Sequence, residues 1–332
     1  MKRRAKILVT NRIHHEVADR LEALGEVDCN RKAEPLAASE FRHRLSDATA
    51  VMGFMTDCID DAALAAAPNL KVVACALKGF DSYDVEACTR AGVWVTIVPD
   101  LLTEPTAELA IGLAIGLARQ VREADAYVRS GHFKGWRPQF YGKGLAGSTV
   151  AVVGMGRVGQ AIVERLRGFG CSAILSVDPA INPPPECIAV QLEEAVQQAD
   201  YVFVAVPLVP GSRHLIRADL LSKSKPGLHL INVGRGSVVD EDAVATSLRE
   251  GHLGGYAADV FAFEDWLLDD RPSAIPSSLL SAPRTLFTPH IGSAVARVRL
   301  AIEHRAADNI IAVLAGRRPP DAINNPIMEP RR

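Results

Sequence analysis

The sequence predicts an α/β protein of two domains, each built on a parallel β-sheet covered by helices. The chain has 332 residues, about twice a typical domain of about 150 residues. Short apolar, β-branched runs alternate with helical patterns, and this alternation restarts after a long helical segment at residues 106–128. Because parallel strands need long crossover connections, usually helices, the two successive series indicate two parallel sheets.

In the first series, strands are expected at residues 6–10, 50–54, 71–75 and 93–97, and helices at 14–24, 60–67 and 84–91. A loop at 130–147 then precedes strands at 149–153, 173–177, 201–205, 228–232, 255–259 and 285–288. The last helix, near 294–315, has apolar residues at helical spacing. If this helix packs back on the first domain, that domain comprises residues 1–102 and 296–332, and residues 103–295 form the second domain. The chain then passes between the domains twice, and a cleft is expected beside both of these connections.

The composition is that of a globular protein, with 48% apolar and 23% charged residues and a formal net charge of −2. It gives no basic excess for nucleic-acid binding. The longest apolar stretch, 109–118, is too short to span a membrane. Six scattered cysteines show no metal-ligand spacing, so we expect a cytoplasmic protein with free thiols and no metal site.

A glycine motif, Gly-x-Gly-x-x-Gly, stands directly after an apolar strand and before a helix. In that context glycines allow a tight turn and the close approach of a diphosphate to backbone N–H groups at the helix start. The motif predicts a dinucleotide site formed by Gly154, Gly156, Arg157, Val158 and Gly159. Asp178, at the end of the next strand, could accept hydrogen bonds from ribose hydroxyls and repel a 2′-phosphate, which favours NAD.

Three further strand ends carry side chains suited to hydride-transfer chemistry. Arg235, Glu264 and His290 each follow a different predicted strand of the second domain. A guanidinium can hold an oxyanion with two hydrogen bonds, and a histidine paired with a carboxylate can act as a general base. Because ligands of such sheets bind at the carboxyl ends of the strands, the three side chains predict one active site.

Several segments together resemble the D-2-hydroxyacid dehydrogenase family over most of the chain. They are residues 154–159, 234–241, 259–264 and 288–292. The resemblance implies two Rossmann- or flavodoxin-like domains around a cleft, NAD as cofactor, and Arg235, Glu264 and His290 as the catalytic residues. It also implies further cofactor contacts at Pro207, Val233, Gly234, Asp259 and Ser293.

Within this family, residues 76–81, 135–142 and 292–300 resemble phosphite (phosphonate) dehydrogenases most closely. That resemblance implies NAD-dependent oxidation of phosphite to phosphate, with Lys78 binding the small anion opposite Arg235. The other residues implied at the pocket are Gly79, Met55, Leu102, Arg299, Trp136 and Tyr141. The last two are expected to reach the partner subunit's site in a homodimer.

Two departures from the phosphite-oxidising pattern keep other functions open. Val233 and Gly234 stand where that pattern has proline and cysteine, which is nearer to other hydroxyacid dehydrogenases. The segment before Asp178 is one residue longer than usual, so either Val177 or Asp178 occupies the acidic position. The alternatives are a D-2-hydroxyacid dehydrogenase or glyoxylate/hydroxypyruvate reductase, or a non-enzymatic NAD-sensing scaffold.

Overall fold

The computed structural model describes residues 4–266 and 268–326, which form two compact units. The first unit contains the described residues of Met1–Leu102 and Ala294–Arg332, and the second consists of those of Thr103–Ser293. The chain thus returns to the first unit at residue 294, two residues before the predicted boundary at 296. Residues 1–3 and 327–332 of the predicted first domain lie outside the described residues.

The first unit has a five-stranded parallel sheet in the order β2-β1-β3-β4-β5. Its strands are β1 (Ala5–Val9), β2 (Gly25–Cys29), β3 (Ala50–Gly53), β4 (Val72–Cys75) and β5 (Trp94–Thr96). Its helices are α1 (His15–Glu22), α2 (Ala38–Leu45), α3 (Asp61–Ala66), α4 (Val85–Arg90) and α12 (Ala296–Leu314). The sequence prediction missed β2 because Glu26 and Asp28 interrupt the apolar run of this edge strand.

Both faces of this sheet are buried, as a parallel sheet requires. In β4, Val72 and Ala74 belong to one apolar cluster, while Val73 and Cys75 belong to the cluster on the opposite face. Helix α12 contributes Ile302 to the first cluster. The structure therefore places this last helix in the first unit, where it covers one face of the sheet.

The second unit has a seven-stranded parallel sheet in the order β12-β11-β10-β9-β6-β7-β8. Its strands are β6 (Thr149–Val153), β7 (Ala173–Val177), β8 (Cys187–Ala189), β9 (Tyr201–Val204), β10 (His229–Asn232), β11 (Gly255–Ala258) and β12 (Thr285–Phe287). The strand order reverses between β6 and β9, and ligands of such sheets bind beside the carboxyl ends of the strands at this switch point. The predicted fold class, two α/β domains with parallel sheets, is confirmed.

The helices of the second unit are α5 (Thr103–Ala118), α6 (Val121–Arg129), α7 (Arg157–Leu166), α8 (Leu192–Gln198), α9 (Ala218–Ser222), α10 (Glu241–Arg249) and α11 (Ser277–Leu280). Short 3-10 turns occupy Arg167–Phe169, Gly236–Val238 and Ala262–Glu264. No helix within the described part of the chain is both long and apolar enough to cross a membrane.

The helix expected at 106–128 is divided into α5 and α6 in the structure. Gln120 adopts a left-handed backbone conformation, with φ of 52°. The carbonyl of Ala118 accepts a hydrogen bond from the backbone N–H of Lys143 at 3.2 Å, so a loop segment satisfies it in place of the next helical turn. Long-range contact with this loop therefore ends α5, which no local helical pattern reveals.

Candidate active site

The glycine turn after β6 leaves room for a diphosphate. A Cβ on Gly159, in the first turn of α7, would lie 1.9 Å from the carbonyl oxygen of Gly154, so only glycine fits there. Gly154 itself has a φ of 92°, in the left-handed region. At Gly156, by contrast, a Cβ would meet nothing within 4 Å. The open space at the N-terminus of α7 thus fits the diphosphate of a dinucleotide, which the first backbone N–H groups of the helix would bind.

Asp178, directly after β7, lies against this glycine turn. Its Oδ2 accepts a hydrogen bond from the N–H of Met155 at 2.7 Å, and its Oδ1 accepts from Ala180 and Ile181 at 2.8 and 3.0 Å. Burial raises the pKa of Asp178, but these three N–H donors outweigh burial and hold it below its usual value. Val177 instead packs against the apolar core. The acidic group beside the turn is therefore Asp178.

Arg235 follows β10 on a turn that is stabilised by hydrogen bonds between a side chain and the backbone of the turn. Asn232, the fully buried last residue of β10, donates from Nδ2 to the carbonyl of Arg235 at 3.0 Å and accepts from the N–H of Gly234 at 3.1 Å. The guanidinium donates to the carbonyl of Gly234 at 2.9 Å. Asn232 was not among the predicted site residues, although a polar residue at the end of an apolar strand is a usable signal.

His290 and Glu264 are in direct contact in the second unit. The Nδ1 of His290 lies 2.9 Å from Oε2 of Glu264, while Oε1 of Glu264 accepts the N–H of Phe261, also at 2.9 Å. Both side chains are partly buried. This geometry sets the tautomer in which Nδ1 carries a proton and Nε2 is left to exchange one with a ligand.

Asp259, predicted as a cofactor contact, organises the loop that carries His290. Its Oδ1 accepts from the hydroxyl of Thr288 at 2.6 Å and from the N–H of Ile291 at 2.8 Å, and its Oδ2 accepts from Gly292 at 2.8 Å. Burial raises the pKa of Asp259, and these hydrogen bonds counteract part of that effect. The backbone N–H of His290 also donates to the carbonyl of Asp259 at 2.8 Å. The carboxylate therefore ties the ends of β11 and β12 together.

The other predicted residues of the second unit lie near the same strand ends or in the loop after α6. Pro207 is exposed beyond β9, Val233 is buried after β10, and Ser293 is partly buried where the unit ends. Trp136 and Tyr141 are 78% and 76% exposed.

In the first unit, Met55, Lys78 and Gly79 follow the carboxyl ends of β3 and β4, and Leu102 follows β5. All four are partly buried. The Arg299 guanidinium, on α12, lies 5.8 Å from the centre of the Phe54 ring, and burial lowers its pKa. Four of these five candidates therefore follow the carboxyl ends of strands in the sheet of the first unit. The fifth, Arg299, lies on helix α12 of the same unit.

Comparisons with known proteins identify the family. The model of the D-isomer specific 2-hydroxyacid dehydrogenase NAD binding domain matches residues 111–292. A glyoxylate reductase of Thermococcus litoralis is 33% identical, covering 97% of this chain and 98% of its own, and one of Korarchaeum cryptofilum is 34% identical with 98% of each covered.

Comparison with solved structures identifies the same family. A protein of Thermus thermophilus, 36% identical, superposes with a TM-score of 0.89 over 96% of this chain and all of its own. An NADPH-dependent glyoxylate/hydroxypyruvate reductase of Sinorhizobium meliloti, in complex with NADP and malonate, is 30% identical with a TM-score of 0.83, covering 99% of this chain and all of its own. The chain therefore belongs to the D-isomer specific 2-hydroxyacid dehydrogenase family and is an NAD-dependent oxidoreductase.

Proposed function

We propose that the protein reduces a small 2-oxoacid, of the glyoxylate and hydroxypyruvate class, to the corresponding 2-hydroxy acid with NADH. The observation that carries this proposal is the contact between His290 and Glu264, on the sheet edge that also carries Arg235. The names of the relatives support the substrate class. These relatives are named as glyoxylate reductases and not as phosphite dehydrogenases, so the expectation of phosphite oxidation has no support from them.

The substrate is an anion that needs a cationic partner and a fixed orientation. The Arg235 guanidinium supplies planar donors that match a carboxylate, and the brace from Asn232 limits the movement of its backbone. Lys78 and the backbone of Gly79 are proposed as the contribution of the first unit to anion binding. The braced guanidinium of Arg235 would thereby hold the carboxylate of the 2-oxoacid in a fixed orientation for reaction.

The carbonyl oxygen must receive a proton as the carbonyl carbon is reduced. His290 donates that proton from Nε2, while the Glu264 carboxylate stabilises the imidazolium through Nδ1–H. The bound NADH supplies the hydride. The balance is 2-oxoacid, NADH and one proton giving 2-hydroxy acid and NAD⁺, with His290 recovering its proton from solvent.

One pair of assays tests the proposal against its alternatives. The purified protein is incubated with NADH and either glyoxylate or hydroxypyruvate, and separately with NAD⁺ and phosphite, while the near-ultraviolet absorbance of NADH is followed. We expect NADH consumption with an oxoacid. Phosphite-dependent NADH formation without oxoacid reduction would contradict the proposal, and tight NADH binding without any turnover would favour the scaffold alternative.

The position of Asp178 leads to a prediction about the choice between NADH and NADPH. A carboxylate beside the adenosine ribose repels a 2′-phosphate, and like charges in contact cost several kcal/mol. In the Asp178→Asn variant we expect the ratio of kcat/KM for NADPH to that for NADH to rise about tenfold or more. The control is Asp219→Asn, which removes an exposed carboxylate of α9 that pairs with Arg217. This variant should leave the ratio unchanged. An unchanged ratio in Asp178→Asn would remove Asp178 from cofactor selection.

We also propose that the protein is a homodimer. Helix α6 has no buried residue among those described, and the segment from α6 into the following loop exposes large apolar side chains. They are Val121, Val128, Phe133, Trp136 and Tyr141. Large apolar side chains that are exposed along one segment in this way would be covered in a subunit interface. Sedimentation equilibrium should give twice the chain mass, and Val128→Asp should lower it; a monomeric parent would contradict the proposal.

A further inference from the structure

Two buried carboxyl groups outside the proposed chemistry join the segments that carry Arg235 and Glu264. Glu241, the first residue of α10, accepts the N–H of Ala262 on Oε1 at 2.8 Å. Asp265 accepts the N–H of Ser237 on Oδ2 at 2.7 Å. Each of these two residues is only 5% exposed. The segment after Arg235 thus provides the side chain of Glu241 as an acceptor for the backbone of the segment that carries Glu264. The latter segment provides the side chain of Asp265 as an acceptor for the backbone of the former.

The two backbones lie against each other with no space between them. A Cβ on Gly236 would lie 1.8 Å from the carbonyl carbon of Phe261 and 2.1 Å from the nitrogen of Ala262. The 3-10 turn Ala262–Glu264 begins at this contact, and Glu264 reaches back to the N–H of Phe261. A shift of the turn would therefore move the carboxylate that faces His290.

The protonation of Glu241 agrees with a role as an acceptor for this turn. Burial raises the pKa of Glu241 to about 7, partly offset by the N–H of Ala262 and increased by the carboxylates of Asp265, Asp242 and Glu264. The group is therefore partly protonated near pH 7, and its Oε1 can accept the N–H of Ala262 in either form. Its Oε2 is buried and makes no hydrogen bond to any residue that the structure describes.

We propose that Glu241, together with Asp265, is a positioning residue that fixes the turn 262–264, so that Glu264 meets His290 on the same sheet edge as Arg235. The inference rests on the proposed function to the extent that His290 and Glu264 carry out the proton transfer. Glu241 acts through Glu264 and touches neither substrate nor cofactor in this scheme. Small displacements matter, because a misplacement of about 1 Å can cost about a hundredfold in rate.

Four variants separate positioning from general stability. Glu241→Leu removes the acceptor, Glu241→Asp shortens the side chain while keeping the carboxyl group, and Glu241→Gln keeps an acceptor oxygen at the same length. The control is Asp240→Ala, which removes the N-cap of the same helix, where Asp240 accepts the N–H of Ala243 at 3.0 Å. The control should lower the melting temperature without altering the turn at 262–264.

Two readouts are compared across these variants. The first is kcat and KM with the substrate that the parent turns over. The second is the position of the His290 ring signals in NMR spectra of the cofactor-free protein, assigned with a His290→Gln sample. We expect Glu241→Leu to lower kcat about ten- to a hundredfold with KM within about threefold, and to move the His290 signals. Glu241→Gln should stay within a few-fold of the parent.

The outcomes distinguish the two proposals. Parent-like kcat and parent-like His290 signals in Glu241→Leu would overturn the positioning role, as would the same losses in Asp240→Ala. If Glu241→Leu does not fold, the comparison of Glu241→Asp with Glu241→Gln decides, since only the former should lose kcat and shift the signals. If the parent reduces no 2-oxoacid, the proposed function fails, while the NMR comparison still tests Glu241.

Discussion

Replacement of His290 by Gln should lower kcat for 2-oxoacid reduction by about 10²- to 10⁴-fold, the usual contribution of general acid–base catalysis. Glutamine can still hydrogen-bond to Glu264, but it cannot deliver a proton to the carbonyl oxygen. NADH binding, followed by the fluorescence of the reduced cofactor, should remain within a few-fold of the parent. The variant therefore separates proton transfer from cofactor binding.

A matched control is available in the same unit. His252 interacts with Ser224 through Nε2 at 3.2 Å and lies between α10 and β11, at the opposite end of the strand from Asp259. His252→Gln should keep kcat close to that of the parent. A His290→Gln rate within a few-fold of the parent, or an equal loss in His252→Gln, would contradict the assignment of His290 as the proton donor.

Replacement of Arg235 by Ala should reduce kcat/KM by a factor that corresponds to roughly 2–5 kcal/mol, the cost of losing one partner of a desolvated charge pair. Much of the loss should appear in KM, because the guanidinium holds the substrate carboxylate before and during the reaction. Arg235→Lys should be intermediate, since lysine retains the charge and loses the planar pair of donors. Steady-state kinetics with glyoxylate gives kcat and KM for the parent, Arg235→Ala and Arg235→Lys.

The control for this series is Arg249→Ala. Arg249 lies at the end of α10, is exposed, and donates to the hydroxyl of Thr246 at 3.1 Å. We expect its removal to leave kcat/KM unchanged. If Arg235→Ala kept the kinetics of the parent while folded, the substrate carboxylate would have to be bound by other groups, and the proposed orientation of the substrate would be wrong.

The sequence revealed the inner strands of the sheets, because burial on both faces favours short runs rich in apolar residues. β6 and β10 are examples, and the residues that follow them in the sequence form the glycine turn and the Arg235 turn. The break at Gln120 depends on the carbonyl of Ala118 meeting Lys143, a contact between residues far apart in sequence. Local patterns contain no information about such a contact.

The same distinction holds within the site. Glu264 and His290 were recognisable because each follows a strand end in a characteristic segment, and the structure brings them to 2.9 Å. Glu241 and Asp265 were not, because acidic residues at a helix start or in a loop usually face solvent. Their burial, with each residue only 5% exposed, is visible only in the structure.

The backbone of His290 has a consequence for attempts to stabilise the protein. Its φ of 55° is a conformation that glycine adopts readily and that costs other residues about 1–3 kcal/mol. A replacement by glycine would relieve this backbone strain while lowering turnover at least as much as His290→Gln. Selection for heat resistance alone should enrich inactive proteins altered at this position, so any thermostabilisation campaign on this chain needs an activity screen in parallel.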